Sequence, residues 1–107
     1  MLLIYIASPY STGDKLENVT RQIEMAHILL DYGYAALWPL SSHYLELFRS
    51  RPYDEWLEMD FALLSRCDAL LRLEGESIGA DLEMKEAARL GIPIVFSVDE
   101  LRRIERA

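Results

Sequence analysis

Two acidic side chains fall where helical periodicity puts apolar surface. The run from Ser77 to Phe96 reads as a helix followed by a strand. Ser77 suits the N-cap, because its hydroxyl can accept an orphan amide of the first turn. Gly91 suits the left-handed residue past the last turn, and Pro93 bars further helix. At about 100° per residue, Gly79, Ala80, Glu83, Met84, Ala87, Ala88 and Leu90 share one arc, while Asp81, Lys85, Glu86 and Arg89 share the other. Glu83 therefore lies within a face of small, apolar residues that leave room beside it. In the helix opened by Pro52-Tyr53-Asp54, with Asp54 as N-cap, Trp56, Leu57, Met59, Phe61, Leu63, Leu64 and Cys67 form a wide apolar arc with Asp60 near its centre. A carboxylate turned inward is costly unless something holds or uses it. Two of them suggest a pocket, the alternative being that each belongs to a buried ion pair. Tyr5, inside an apolar run, needs a partner for its hydroxyl if buried, and Glu83 is the candidate.

The elements that must position these groups alternate along the chain. Leu2–Ala7 is a nearly continuous apolar run, as in a strand buried on both faces. Ser8–Gly13 is a loop. Asp14 and Glu17 form a capping box ahead of a helix with Leu16, Val19, Ile23, Ala26 and Leu30 at helical spacing. Tyr34–Trp38 is a second strand. His43–Arg51 has Tyr44, Leu47 and Phe48 on one side and reads as a connector, a lid or a subunit contact. Ala69–Leu73 and Ile92–Phe96 are the third and fourth strands, and Ser97 with Glu100 caps a last short helix.

Strands alternating with helices imply βαβ units with right-handed crossovers. The expected fold is α/β: three layers, a parallel sheet of four strands or at most five in the order 2-1-3-4, and helices on both faces. Ligands of such sheets bind beyond the carboxyl ends of the strands where the order reverses. That point falls between strands 1 and 3, beside Ser8–Gly13 and Glu74–Ser77, and Glu83 can lean toward it.

The 107 residues fit one domain spanning the whole chain, and 51% hydrophobic content argues for a packed core. Eleven basic against eighteen acidic residues, a net charge of −7, argues against a nucleic-acid polymer or an anionic membrane as partner. One cysteine, Cys67, forbids an internal disulfide and fits a reducing, cytoplasmic setting. The sequence offers no His/Cys ligand cluster, so no metal or cofactor is expected.

Tyr5-Ile6-Ala7-Ser8-Pro9-Tyr10, Asp60 followed by Cys67-Asp68, and Ser77-x-Gly79-x-x-x-Glu83-x-x-x-Ala87-x-x-x-Gly91-x-Pro93 together resemble the nucleoside 2-deoxyribosyltransferase superfamily, nearest to its small bacterial and phage branches. The resemblance implies a flavodoxin-like fold and cleavage or transfer at the N-glycosidic bond of a nucleoside or nucleotide. It implies that Glu83 attacks the anomeric carbon, that Tyr5 orients Glu83, and that Asp60 assists departure of the base or contacts the sugar. It also implies substrate contacts by Ser77, which can meet a 5′-phosphate, and by Tyr10, which can border the base. Ser8, Gly79 and His43 are the further substrate-contact candidates; Trp38 reads as packing. The physics agrees, because a carboxylate beside the anomeric carbon stabilises an oxocarbenium-like transition state and a second acid with a raised pKa can protonate the leaving base. The loop after strand 1 has no arginine, and Glu74 and Glu76 flank Ser77; both weigh against a 5′-phosphate.

Small relatives complete their crevice with a neighbouring subunit, so a homodimer or larger assembly is expected. The competing reading is a non-catalytic nucleotide-binding module of the same fold. A phospho-receiver domain shares the fold class but needs acidic residues after strand 1, where this chain has Ala7-Ser8-Pro9.

Overall fold

The apolar N-terminal run forms strand β1 (Leu3–Ala7), and it lies inside the sheet rather than at its edge. In the computed structural model, which describes residues 1–106, β1 pairs in parallel with β2 (Ala35–Leu37) and with β3 (Ala69–Arg72), and β3 pairs with β4 (Ile94–Val95). The order is 2-1-3-4, as expected, and the sheet has four strands with no fifth among the described residues. Tyr5 is in register with Leu37 on one side and Leu70 on the other.

Alternation along β1 sends successive side chains to opposite faces. Ile4 and Ile6 pack with Leu71, Val95, Leu29 of α1 (Lys15–Asp31) and Leu101 of α5 (Val98–Arg106). Tyr5 and Ala7 pack with Leu70, Leu64 of α3 (Tyr53–Leu64), and Ala80 and Ala87 of α4 (Ile78–Leu90). Helices thus cover both faces, in the flavodoxin-like arrangement. A 3-10 turn (Pro39–Ser41) and α2 (Ser42–Phe48) link β2 to α3. No helix among the described residues is long and apolar enough to cross a membrane.

Several boundaries differ from expectation for physical reasons. Helix α3 begins at Tyr53, so Pro52 rather than Asp54 holds the cap position, and Asp54 and Glu55 lie in the first turn where the helix dipole favours them. The face α1 buries is rolled away from Leu16 and Leu30, which are 58% and 53% exposed. Asn18 and Gln22 go inward because the backbone needs their amides: Asn18 donates to the carbonyls of Tyr10 and Thr12. Gln22 Nε2 lies 3.0 Å from the Ile6 carbonyl and 2.9 Å from Ser8 Oγ, and its Oε1 accepts from the Leu40 amide at 3.0 Å. One buried side chain thus ties the end of β1 to the segment after β2. Strand β4 is shorter than Ile92–Phe96, and Phe96 is exposed, because its amide donates to Glu100 Oε2 while Ser97 Oγ caps α5. Edge strand β2 is only half-buried. On α4 and α3, Ala88, Leu90 and Leu63 lie outside the buried stripe.

The termini of α4 match the residue types there. Ser77 Oγ accepts from the Ala80 amide at 3.0 Å, and Gly91 takes a left-handed φ of 75°. Gly75, at a φ of 120°, lets the β3–α4 loop approach the loop after β1: a Cβ there would meet Pro9 Cγ at 2.8 Å.

Replacing Gln22 by Leu removes three hydrogen bonds at once, two of them buried, and strands the Leu40 amide. Urea unfolding is expected to show a loss of about 2–3 kcal/mol with an unchanged slope. A loss below about 0.5 kcal/mol would show that the amide is not a structural tie.

Candidate functional site

The odd-numbered face of β1 carries the first component. Tyr5 is fully buried, and its hydroxyl donates to Glu83 Oε2. Glu83 reaches it from the second turn of α4, where Gly79 and Ala80 line the same cavity with little side chain to fill it. The carboxyl is 6% exposed. Asp60 comes from the last two turns of α3, and its buried Oδ1 has no hydrogen-bond partner among the described residues. Both acids line one cavity of about 580 Å³.

The electrostatics follow from burial. Loss of water pushes Glu83 from its ordinary 4.5 up to about 8; the Tyr5 hydrogen bond opposes this, the Asp60 charge adds to it, and the Arg72 guanidinium opposes it. Burial alone lifts Asp60 from 3.8 to about 7. With values of about 7 and about 8, both carboxyls are only partly ionised near neutral pH, and Glu83 holds its proton the more firmly. Burial first, and then the Glu83 and Asp60 charges, drive the Tyr5 phenol far above its ordinary value, so it stays a donor. Arg72 does not form an ion pair with Glu83. It is turned to the carbonyls of Leu73 and Gly75 and to Asp81 Oδ1 at 3.4 Å, bracing the β3–α4 loop.

The remaining expected residues converge on the same cavity. Ser8, Tyr10, His43, Ser77 and Gly79 line it with Asp60 and Glu83, while Tyr5 lies beneath Glu83. Ser8 Oγ and Ser77 Oγ already accept bonds from Gln22 and Ala80, which leaves their hydrogens to donate. Trp38 packs against the α1/α5 core and does not line the cavity.

Helix α2, ambiguous in the sequence, borders this cavity through Ser42, His43 and Glu46. It is tied down at both ends. Tyr10 Oη lies 2.6 Å from His43 Nδ1. Glu46 accepts from Ser50 Oγ, the Arg51 amide and Trp56 Nε1, and the Ser50 bond leads in holding its carboxyl below the ordinary range. The opposite side of α2 is bare: Leu47 is 69% and Phe48 96% exposed.

Sequence reasoning missed Tyr53, Trp56 and Leu57, which also line the cavity. The signal was present, because residues at i, i+3, i+4 and i+7 share a helix face, and Asp60 is seven residues after Tyr53. It also missed two cations at the cavity, Lys15 and Arg51, which come from α1 and from the turn before α3 rather than from the loop after β1. Lys15 Nζ lies 5.4 Å from the Tyr10 ring centroid. Among the described residues no cluster of three or more His, Cys, Asp or Glu side chains could hold a metal ion.

Across residues 2–97 the sequence matches the family described as DUF7768, a domain of unknown function. The chain belongs to the DUF7768 family. No curated protein matches it. Among solved structures, this DUF7768 chain is similar to a 2-deoxyribosyltransferase from the psychrotolerant bacterium Bacillus psychrosaccharolyticus, with a TM-score of 0.65 and 20% identity over 86% of this chain and 69% of that one. At that identity the likeness shows a common fold.

Both acids ionise less readily in the folded chain than in the unfolded one. Their contribution to stability is whole below about pH 4 and is lost as pH rises through about 7 and about 8. Glu83→Gln and Asp60→Asn are each expected to stabilise the fold at pH 8 by about 1–3 kcal/mol, with the gain vanishing near pH 4. Denaturant titrations at the two pH values check this, and equal effects at both would contradict the burial argument.

Proposed function

We propose that this protein cleaves or transfers at the N-glycosidic bond of a nucleoside or nucleotide, with Glu83 as nucleophile. The observation that carries the reading is a buried glutamate, aimed by a tyrosine hydroxyl, on the same cavity as a second inward acid with an unpartnered oxygen. Similarity to a 2-deoxyribosyltransferase fold supports the substrate class.

The ionised Glu83 attacks the anomeric carbon as the bond to the base breaks. Protonated Asp60 delivers its proton to the departing base, leaving a glycosyl ester on Glu83 and a carboxylate on Asp60. Water or a second base then attacks the same carbon. Asp60 takes the proton from that acceptor, and Glu83 leaves as carboxylate. The Tyr5 hydroxyl stabilises the ionised form of Glu83 against the burial that keeps the shared proton there, and the reactive form is the minor one in which Asp60 carries that proton. Ser8, Tyr10, His43, Ser77 and Gly79 contact the substrate around this centre, Tyr10 beside the base.

A second copy of the chain covers α2 in this reading. That helix lines the cavity with His43 and Glu46 while exposing Tyr44, Leu45, Leu47 and Phe48, so a partner seated there would also enclose the site. The single, buried, free Cys67 fits a cytoplasmic setting.

Incubation with a panel of deoxynucleosides and deoxynucleotides is expected to release free base. Glu83→Ala should abolish release and Asp60→Asn should slow it by about 10²–10⁴-fold. The rate should rise with pH as Glu83 ionises and fall as Asp60 loses its proton, with apparent limbs near 7 and 8. Saturable nucleoside binding with the ligand recovered intact would instead support the binding module. Light scattering at micromolar concentration should report a dimer or larger, and Phe48→Asp should shift it to monomer; a monomeric wild type would remove the assembly.

A further inference from the structure

Tyr53 lies at the start of α3, two turns before Asp60, and lines the same cavity. Packing does not account for its placement, since 57% of the residue is exposed. Its hydroxyl instead reaches across to the first turn of α4. A Cβ built on Gly79 would stand 3.3 Å from Tyr53 Oη and 4.0 Å from Ser77 Oγ. The bare backbone of Gly79 thus leaves room for the phenol oxygen at the first turn of α4. Burial raises the phenol pKa, with Glu83 and Asp60 adding to the rise, so the group is a neutral donor within the field of both acids.

A furanose with its anomeric carbon beside the Glu83 carboxylate presents its far-edge hydroxyls to other donors on the same cavity, and Tyr53 is one of these. We propose that Tyr53 is a specificity-determining residue that donates a hydrogen bond to a hydroxyl on the sugar edge remote from the base, and that Gly79 is glycine to leave room for it. The assignment rests on the glycosidic reading above for its substrate class and assigns Tyr53 no part in bond cleavage.

The test compares wild type with Tyr53→Phe on a 2′-deoxynucleoside, the matching 2′,3′-dideoxynucleoside and the 2′,5′-dideoxynucleoside. Tyr53→Phe should lose about tenfold in kcat/KM on the deoxynucleoside and on the analogue that keeps the contacted hydroxyl. It should lose little on the analogue lacking that hydroxyl. Gly79→Ala should reproduce this selective loss while its melting temperature stays the same or rises, since alanine is the better helix former. Equal losses on all three substrates, or none, would overturn the assignment.

Equilibrium binding separates this idea from the chemistry. In a Glu83→Gln background, which holds substrate without turning it over, adding Tyr53→Phe should weaken deoxynucleoside binding about tenfold and leave binding of the analogue without the hydroxyl unchanged. That result would sustain the Tyr53 contact even if wild type released no base. Binding indifferent to Tyr53, or no nucleoside binding at all, would overturn it whatever the activity.

Discussion

The structure turns on one contact, a tyrosine hydroxyl from β1 holding a glutamate that has been taken out of water. A lone carboxyl at this depth would be an expensive error of folding. Here the strand beneath it and the helix above it are both built to receive it. Strand parity aims Tyr5 at α4, and the central position of β1 keeps that tyrosine dry. The small residues of α4 bring helix and strand together while leaving a hollow beside the carboxyl.

The same arrangement decides the charge state of the site. The Arg72 guanidinium is engaged by loop carbonyls and Asp81, and it softens the rise in the Glu83 pKa without cancelling it. A direct ion pair would lock Glu83 as a permanent carboxylate. A burial-dominated pair of acids keeps a mobile proton near neutrality instead, which is the condition acid–base chemistry needs.

Much of this was legible in the residues. Four apolar runs separated by helical periods led to a parallel α/β sheet, because parallel strands need crossovers, and the expected order 2-1-3-4 is the one observed. Glu83 and Asp60 stood out as acids on apolar arcs, and the crevice location followed from topology. Other features depended on tertiary partners that periodicity does not encode. Asn18 and Gln22 displaced Leu16 and Leu30 from the inner face because loop backbone needed their amides. The anchoring of α2 relies on Glu46 meeting Ser50, Arg51 and Trp56, a convergence with no sequence period. Tyr53 was readable by spacing from Asp60, but its meeting with Gly79 joins two helices and appears only in three dimensions.

The close approach of Gly75 to Pro9 has a consequence for remodelling this crevice. The two segments flooring it are interlocked, ring against bare backbone, so neither can be swapped from another protein by itself. Any side chain at position 75 would meet the Pro9 ring, so a replacement for either stretch must keep the other's fit. Grafts meant to alter ligand preference must therefore exchange both segments as a matched unit.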